Sequence, residues 1–247
     1  MTTSTRATRI LGALAGTSLA LTAVLALVVS PADVNQEDAV RLLYIHAPTA
    51  WLALYVSFGV TSLCSALYLW PRTRARFWDL AAGASAEIGV LFLGLTLIVG
   101  SIWGRTTWGV WWTWDARLTT TAVLFVLYLG YLALRRVPDD PDTRSKRCAI
   151  AALAAFVGVP IVHFSVEWWR TLHQPASILS PRRLPDPTIT GSMGWTLVIA
   201  LVSFTLLYAW MLIHRFRVAW LEERLEDRVL ELALEERRAE AVVGSAR

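Results

Sequence analysis

The sequence predicts an all-α protein that crosses a membrane about six times and keeps both termini in the cytoplasm. Two observations predict the fold class and a third predicts the orientation. The chain is 55% hydrophobic with a mean hydropathy of +0.49, and its apolar residues fall into long runs rather than the short stretches of a soluble core. About 20 such residues span the hydrocarbon layer, and six runs approach or reach that length, at 10–29, 48–70, 82–103, 118–134, 148–163 and 192–213. Basic residues alternate between the connecting segments, as the rule that positive loops stay inside requires.

The first run resembles a secretory leader, but it is longer than the usual ~7–15 residue apolar region. No small-x-small cleavage site precedes Pro31, so it is expected to remain as a helix. Arg6 and Arg9 precede it. Asn35–His46 follows, with Val40, Leu43 and Tyr44 at helical spacing, which predicts a short helix lying at the interface. Pro48 is expected to open the second span. Arg72, Arg74 and Arg76 fill the loop before the third. The fourth and fifth runs are short and lean on flanking aromatics. Between them lie Arg135, Arg136, Arg144, Lys146 and Arg147, and Arg215 and Arg217 follow the sixth. The segments 31–47, 103–117 and 164–191 then face outward.

The division expected is a six-helix membrane domain over 1–214 and a charged cytoplasmic tail over 215–247. In the tail Val218, Leu221, Leu225, Val229 and Leu232 recur at spacings of three and four, the pattern of an amphipathic helix. That helix either extends the sixth span or docks a cytoplasmic partner. Glu87 is the costly residue in the third run, expected near the cytoplasmic headgroups. The formal charge of +4 follows from loop topology and gives no reason to expect nucleic acid. Cys64 and Cys148 form no C-x-x-C pair, which excludes both a disulfide framework and thioether-linked haem.

The outward segments hold the unusual chemistry. Trp103 to Trp114 places five tryptophans in twelve residues, WGRTTWGVWWTW, interrupted by Gly104 and Gly109 and followed by Asp115. Tryptophan has a large flat apolar face. A cluster this dense is either an interface belt or a platform for a large flat partner. His46, His163 and His173 are expected at the same membrane surface, and His214 at the other. Two imidazoles approaching from opposite sides of an aromatic shelf would hold an iron porphyrin through its axial positions. Zinc would want four ligands at local spacings; Glu167 beside His163 is the only hint of such a site. Arg105, Arg117, Arg170, Arg182 and Arg183 are the outward guanidiniums able to pair with anionic propionates. Arg117 is alternatively half of an ion pair with Asp115, and Asp115 is alternatively the cap of the fourth helix.

Three stretches, LLYIHAP at 42–48, IWGRTTWGVWWTWDARLT at 102–119 and VEWWRTLHQPAS at 166–177, carry a resemblance. They resemble the haem-handling membrane proteins with a tryptophan-rich WWD motif, and within that group the CcmC (haem exporter protein C) family of cytochrome c maturation. The resemblance implies that His46 and His173 are the axial ligands of haem b, held transiently and without a covalent bond. It implies a haem-binding platform of Trp103, Gly104, Trp108, Gly109, Trp111, Trp112, Trp114 and Asp115. His163 falls outside the matched motif. The family's partners are a periplasmic haem chaperone (CcmE-like), an ABC-type ATPase with its membrane subunit (CcmA/CcmB-like) and a small single-span helper (CcmD-like). The implied location is the bacterial inner membrane, with the site on the periplasmic face. No nucleophile or tuned acid–base pair stands out, so a transfer protein is expected rather than an enzyme. The alternatives are a b-type cytochrome, which would bury both histidines within spanning helices, and a transporter of another solute, which would show broken helices at mid-membrane.

Overall fold

The computed structural model describes residues 4–174 and 189–245, with side chains up to residue 238. Six helical stretches are long and apolar enough to cross a membrane: Arg6–Val29, Asp38–Leu69, Arg76–Trp108, Ala116–Arg135, Pro141–Trp168 and Gly191–Arg238. Among the described residues there is no β-strand; an isolated bridge joins Asp33 and Glu37. Each apolar run of the sequence falls on one of these stretches.

Helix α1 (Arg6–Val24) starts from a reciprocal cap. The Thr5 side chain accepts from the Thr8 amide, and the Thr8 hydroxyl accepts from the Thr5 amide. It continues as a π-turn over Leu25–Val29. The second span is assembled from four pieces: a 3-10 turn (Asp38–Leu42), α2 (Leu43–Trp51), a π-segment (Leu52–Ser57) and α3 (Phe58–Leu69). The sequence expectation of a separate interface helix ending before Pro48 is corrected here. Pro48 lies inside α2, and the helix runs through it. Proline removes one donor from the i→i−4 ladder, and the ladder widens to π pitch one turn later.

Helix α4 (Arg76–Trp108) is 33 residues long and stops at Gly109, whose φ of 77° is left-handed and suits glycine. Its start lies six residues before the expected run, because the charged first turn hides it. α5 (Ala116–Arg135) is capped by Asp115. α6 (Pro141–Phe156) and α7 (Gly158–Trp168) share the fifth span, capped by Asp140 with Pro141 at its first position. That span is longer than expected, so His163 belongs to α7 and not to the outer connection. α8 runs unbroken from Gly191 to Ser245, carrying the charged stretch after Arg217 on the same helix as the sixth span.

The core lies where the second span, α4, α5, α6 and α8 meet, and several of its buried polar groups are paired across helices. Ser85 Oγ donates to the Ser57 carbonyl at 2.7 Å and pairs with the Tyr208 hydroxyl at 2.6 Å. Phe58 stacks on Tyr128 with centroids 3.5 Å apart. One end of the bundle is stiffened by charge. Asp79, on the first turn of α4, accepts from Arg76 at 2.8 Å and from both terminal nitrogens of Arg135 at 2.8 and 3.1 Å. Arg76 also reaches Glu223, and Arg215 pairs with Glu87. Both contacts tie α8 to α4. At about 1.5 Å per residue, Asp79 and Trp103 are some 36 Å apart along α4, so the tryptophan-rich turn occupies the opposite end.

Candidate functional site

At that opposite end a cavity of about 280 Å3 opens among the second span, α4, α5, α7, α8 and the segment after α7. His46, His163 and His173 all line it, with Trp103, Trp108 and Trp112. His214 does not; it packs against Trp210, 4.8 Å away between centroids, on the other half of α8.

His46 is delivered by α2 and fixed from several sides. Its carbonyl accepts from the Thr49 hydroxyl at 2.9 Å, and Thr96 on α4 donates to that same hydroxyl at 3.0 Å. Trp103 stands edge-on to the imidazole, with centroids 5.7 Å apart and planes at 76°. Gly100 lies beneath it; a Cβ there would come within 2.7 Å of His46 Cε1. Trp103 is itself anchored, its Nε1 donating to Gln36 Oε1 at 2.8 Å.

His173 arrives from the loop after α7. Its Nδ1 lies 2.8 Å from the Gln174 carbonyl. A carbonyl only accepts, so Nδ1 carries the proton and Nε2 keeps its lone pair. Burial and then the Arg117 charge hold its pKa below the ordinary value, which favours the neutral imidazole. Trp108 meets it edge-on at 6.4 Å.

The two ring centroids are 6.3 Å apart and their planes are inclined by 39°. An imidazole nitrogen sits about 2 Å from a metal that it ligates, and the ring centre lies about 1 Å further on. Two imidazoles on opposite sides of one metal ion are therefore about 6 Å apart, which is the separation here. Among the described residues there is no cluster of three or more His, Cys, Asp or Glu side chains for a metal.

His163 is engaged differently. Its Nδ1 is 2.5 Å from the Tyr55 hydroxyl, and its carbonyl accepts from Arg117 Nη2 at 2.9 Å. Asp115 makes no direct ion pair with Arg117 among the described residues, and only its charge is felt there. Its Oδ1 caps α5 through the Leu118 amide at 2.9 Å, and its Oδ2 accepts from Thr171 Oγ1 at 2.7 Å and the Leu172 amide at 3.1 Å. Capping was one of two readings open in the sequence, and the structure adds a second task in the loop beside His173.

The remaining candidates divide by position. Gly104 is buried and lines the cavity. Gly109 supplies the left-handed turn that ends α4. Trp111 and Trp114 are 59% and 82% exposed and turn outward, as do Trp168 and Trp169. Trp112 and Trp114 meet edge to face at 5.7 Å, linking the inner and outer aromatics. Arg105 donates to the Gly109 carbonyl. Arg170 is exposed outside the cavity lining. Arg182 and Arg183 lie outside the described residues. Several buried polar atoms around the cavity have no hydrogen-bond partner: His46 Nδ1, Trp112 Nε1 and Arg117 Nε. Two of these, Trp112 Nε1 and Arg117 Nε, are donors, so this wall of the cavity can offer hydrogen bonds to an acceptor group.

A family model, heme exporter protein C (CcmC), matches residues 1–231. The chain belongs to this family. Similar relatives carry the same description. The protein of Haemophilus influenzae is 42% identical over 196 residues, covering 78% of this chain and 76% of that one. The protein of Bradyrhizobium diazoefficiens is 39% identical over 199 residues, covering 80% and 73%. The protein of Escherichia coli K12 is 36% identical over 208 residues, covering 83% and 80%.

Within this CcmC-family chain, sequence reasoning missed the residues that hold the site. Gln36, Thr49, Tyr55, Thr96 and Gly100 are ordinary residues in or beside apolar runs, and their roles depend on contacts across helices. Gln36, six residues into the segment between the first two spans, offers the one sequence signal, an uncharged amide in reach of an aromatic loop.

Proposed function

We propose that this protein handles haem in cytochrome c biogenesis, binding it between His46 and His173 and passing it to a haem chaperone outside the membrane. The observation that carries the reading is the 6.3 Å separation of the two imidazoles, with His173 Nε2 left free by the Nδ1 hydrogen bond. When bound, haem would supply an iron with two axial positions and two anionic propionates.

The residues present fit such a group. Trp103 and Trp108 buttress the two imidazoles, and the cavity wall is largely apolar. Arg117 is the propionate partner favoured here, because it lines the cavity with Nε unpartnered; Arg105 and Arg170, which do not line it, are the lesser candidates. Trp111, Trp114 and the remaining WWD residues would form the outer part of the platform, where the chaperone would meet the haem. Non-covalent ligation by two neutral imidazoles suits a cargo that must leave, and haem b held transiently is the form proposed. The chain acts as a transfer subunit and not as an enzyme. Its proposed setting is the bacterial inner membrane, termini in the cytoplasm and site on the periplasmic face, beside an ABC-type ATPase, its membrane subunit and a single-span helper.

The test is an optical spectrum of the detergent-purified protein, oxidised and reduced, beside His46→Ala, His173→Ala and His163→Ala. A six-coordinate low-spin spectrum that is lost or altered in the first two variants and kept in the third supports the assignment. A wild-type protein that takes up no haem, even when produced with its partners and supplied with haem, overturns it and leaves the tryptophans as an interface anchor.

A further inference from the structure

The two histidines are mounted in different ways. His46 belongs to a continuous helical span and is wedged between Trp103, Gly100 and the Thr49–Thr96 pair. His173 belongs to a loop that, besides the ring contacts of His173 with Trp108 and His46, is hydrogen-bonded to one carboxylate of the bundle. Asp115 Oδ2 accepts from both Thr171 Oγ1 and the Leu172 amide. The Thr171 hydroxyl in turn accepts from the His173 amide at 3.1 Å. The other oxygen of Asp115 is fixed to the Leu118 amide at the first turn of α5. One side chain therefore joins the start of a spanning helix to the two residues just before the His173 ring. It does so without lining the cavity itself.

We propose that Asp115 is a positioning residue, a latch that holds Thr171 and Leu172 so that the His173 ring stays beside His46. The proposal rests on the haem reading for its purpose, but the latch itself is testable without haem. A hydrogen bond to a charged acceptor is worth more than a neutral one, and losing it frees what it held. His46 has no comparable single tether, so loss of the latch should disturb His173 and leave His46 in place.

Two variants separate the latch from the cap. Asp115→Asn keeps a side chain that is equally good at a helix start, but sets an NH2 donor against the Thr171 hydroxyl and the Leu172 amide. Thr171→Val removes one latch bond and leaves the cap untouched, while Thr171→Ser retains the hydroxyl. In haem-free full-length protein, amide hydrogen exchange at Leu172 and His173 should speed up about tenfold or more in Asp115→Asn and Thr171→Val. It should stay at the wild-type rate in Thr171→Ser, with the amides of α2 unchanged in all three. With haem added, the first two variants should lose the six-coordinate low-spin spectrum, and exogenous imidazole should restore it. Unchanged exchange in both variants overturns the latch, as does loosened exchange with the low-spin spectrum fully retained. If the wild type binds no haem while exchange responds as stated, the latch stands and the haem reading falls.

Discussion

Gly100 lies so close under His46 that a Cβ at that position would stand 2.7 Å from the ring's Cε1 and 3.2 Å from its Nδ1. The imidazole thus rests on bare backbone of α4. Gly100→Ala should push the ring toward the cavity and cost about 1–3 kcal/mol of stability, the usual range for overpacking. Thermal unfolding in detergent measures the stability change. A haem titration should show weakened binding or an altered low-spin spectrum. An alanine variant with wild-type values in both would mean that α4 and α2 part at no cost.

Trp103 links the site to the segment between the first two spans through its bond to Gln36. Trp103→Phe keeps an aromatic face for His46 but leaves the Gln36 amide without that partner. A loss of about 0.5–1.5 kcal/mol is expected from the bond. Gln36→Ala should reproduce most of that loss, and the double variant should lose less than the sum of the two.

Gly109 ends α4 at a φ of 77°. A side chain there adopts the left-handed conformation at a cost of about 1–2 kcal/mol. Gly109→Ala should lower the unfolding midpoint and loosen the turn that carries Trp108 to Trp112, seen as a red shift and broadening of tryptophan fluorescence. Gly109→Asn, better tolerated in that conformation, should be the milder variant.

At the other end, Asp79 is buried, with its side chain 4% exposed, and paired with Arg76 and Arg135. Removing one partner from a buried charge group costs about 3–5 kcal/mol, since the remaining charges stay buried. Asp79→Ala should therefore be among the most destabilising single changes, without shifting the spectrum of any haem that the folded fraction binds. Thermal melting beside the optical spectrum separates the two effects.

The membrane architecture is legible in the sequence because about 20 apolar residues in a row leave few other options. The ends of the elements are less so. The charged turn Arg76 to Asp79 reads as loop, and becomes helix because Asp79 is neutralised by Arg135, 56 residues away. Pro48 reads as a helix start, yet α2 runs through it. His46 and His173 stand out by type and motif, but their proximity depends on α4 and on the Asp115 contacts, which no local pattern encodes. His163 stands out equally, and its tie to Tyr55 needs the second span and α7 side by side. Trp111 and Trp114 turn outward while Trp103, Trp108 and Trp112 line the cavity, a division among neighbours that composition alone could not make.

Helix α8 has a mechanical consequence. Its 55 residues make a rod of about 80 Å at 1.5 Å per residue, well beyond the roughly 30 Å that the hydrocarbon layer absorbs. The surplus projects as a lever arm, pinned near its fulcrum where Arg215 meets Glu87 and Glu223 meets Arg76. Both pins are set in α4, whose far end carries Trp103 and Gly104. The footing of both pins at the root of the arm and the floor beneath His46 are therefore two stretches of one continuous helix.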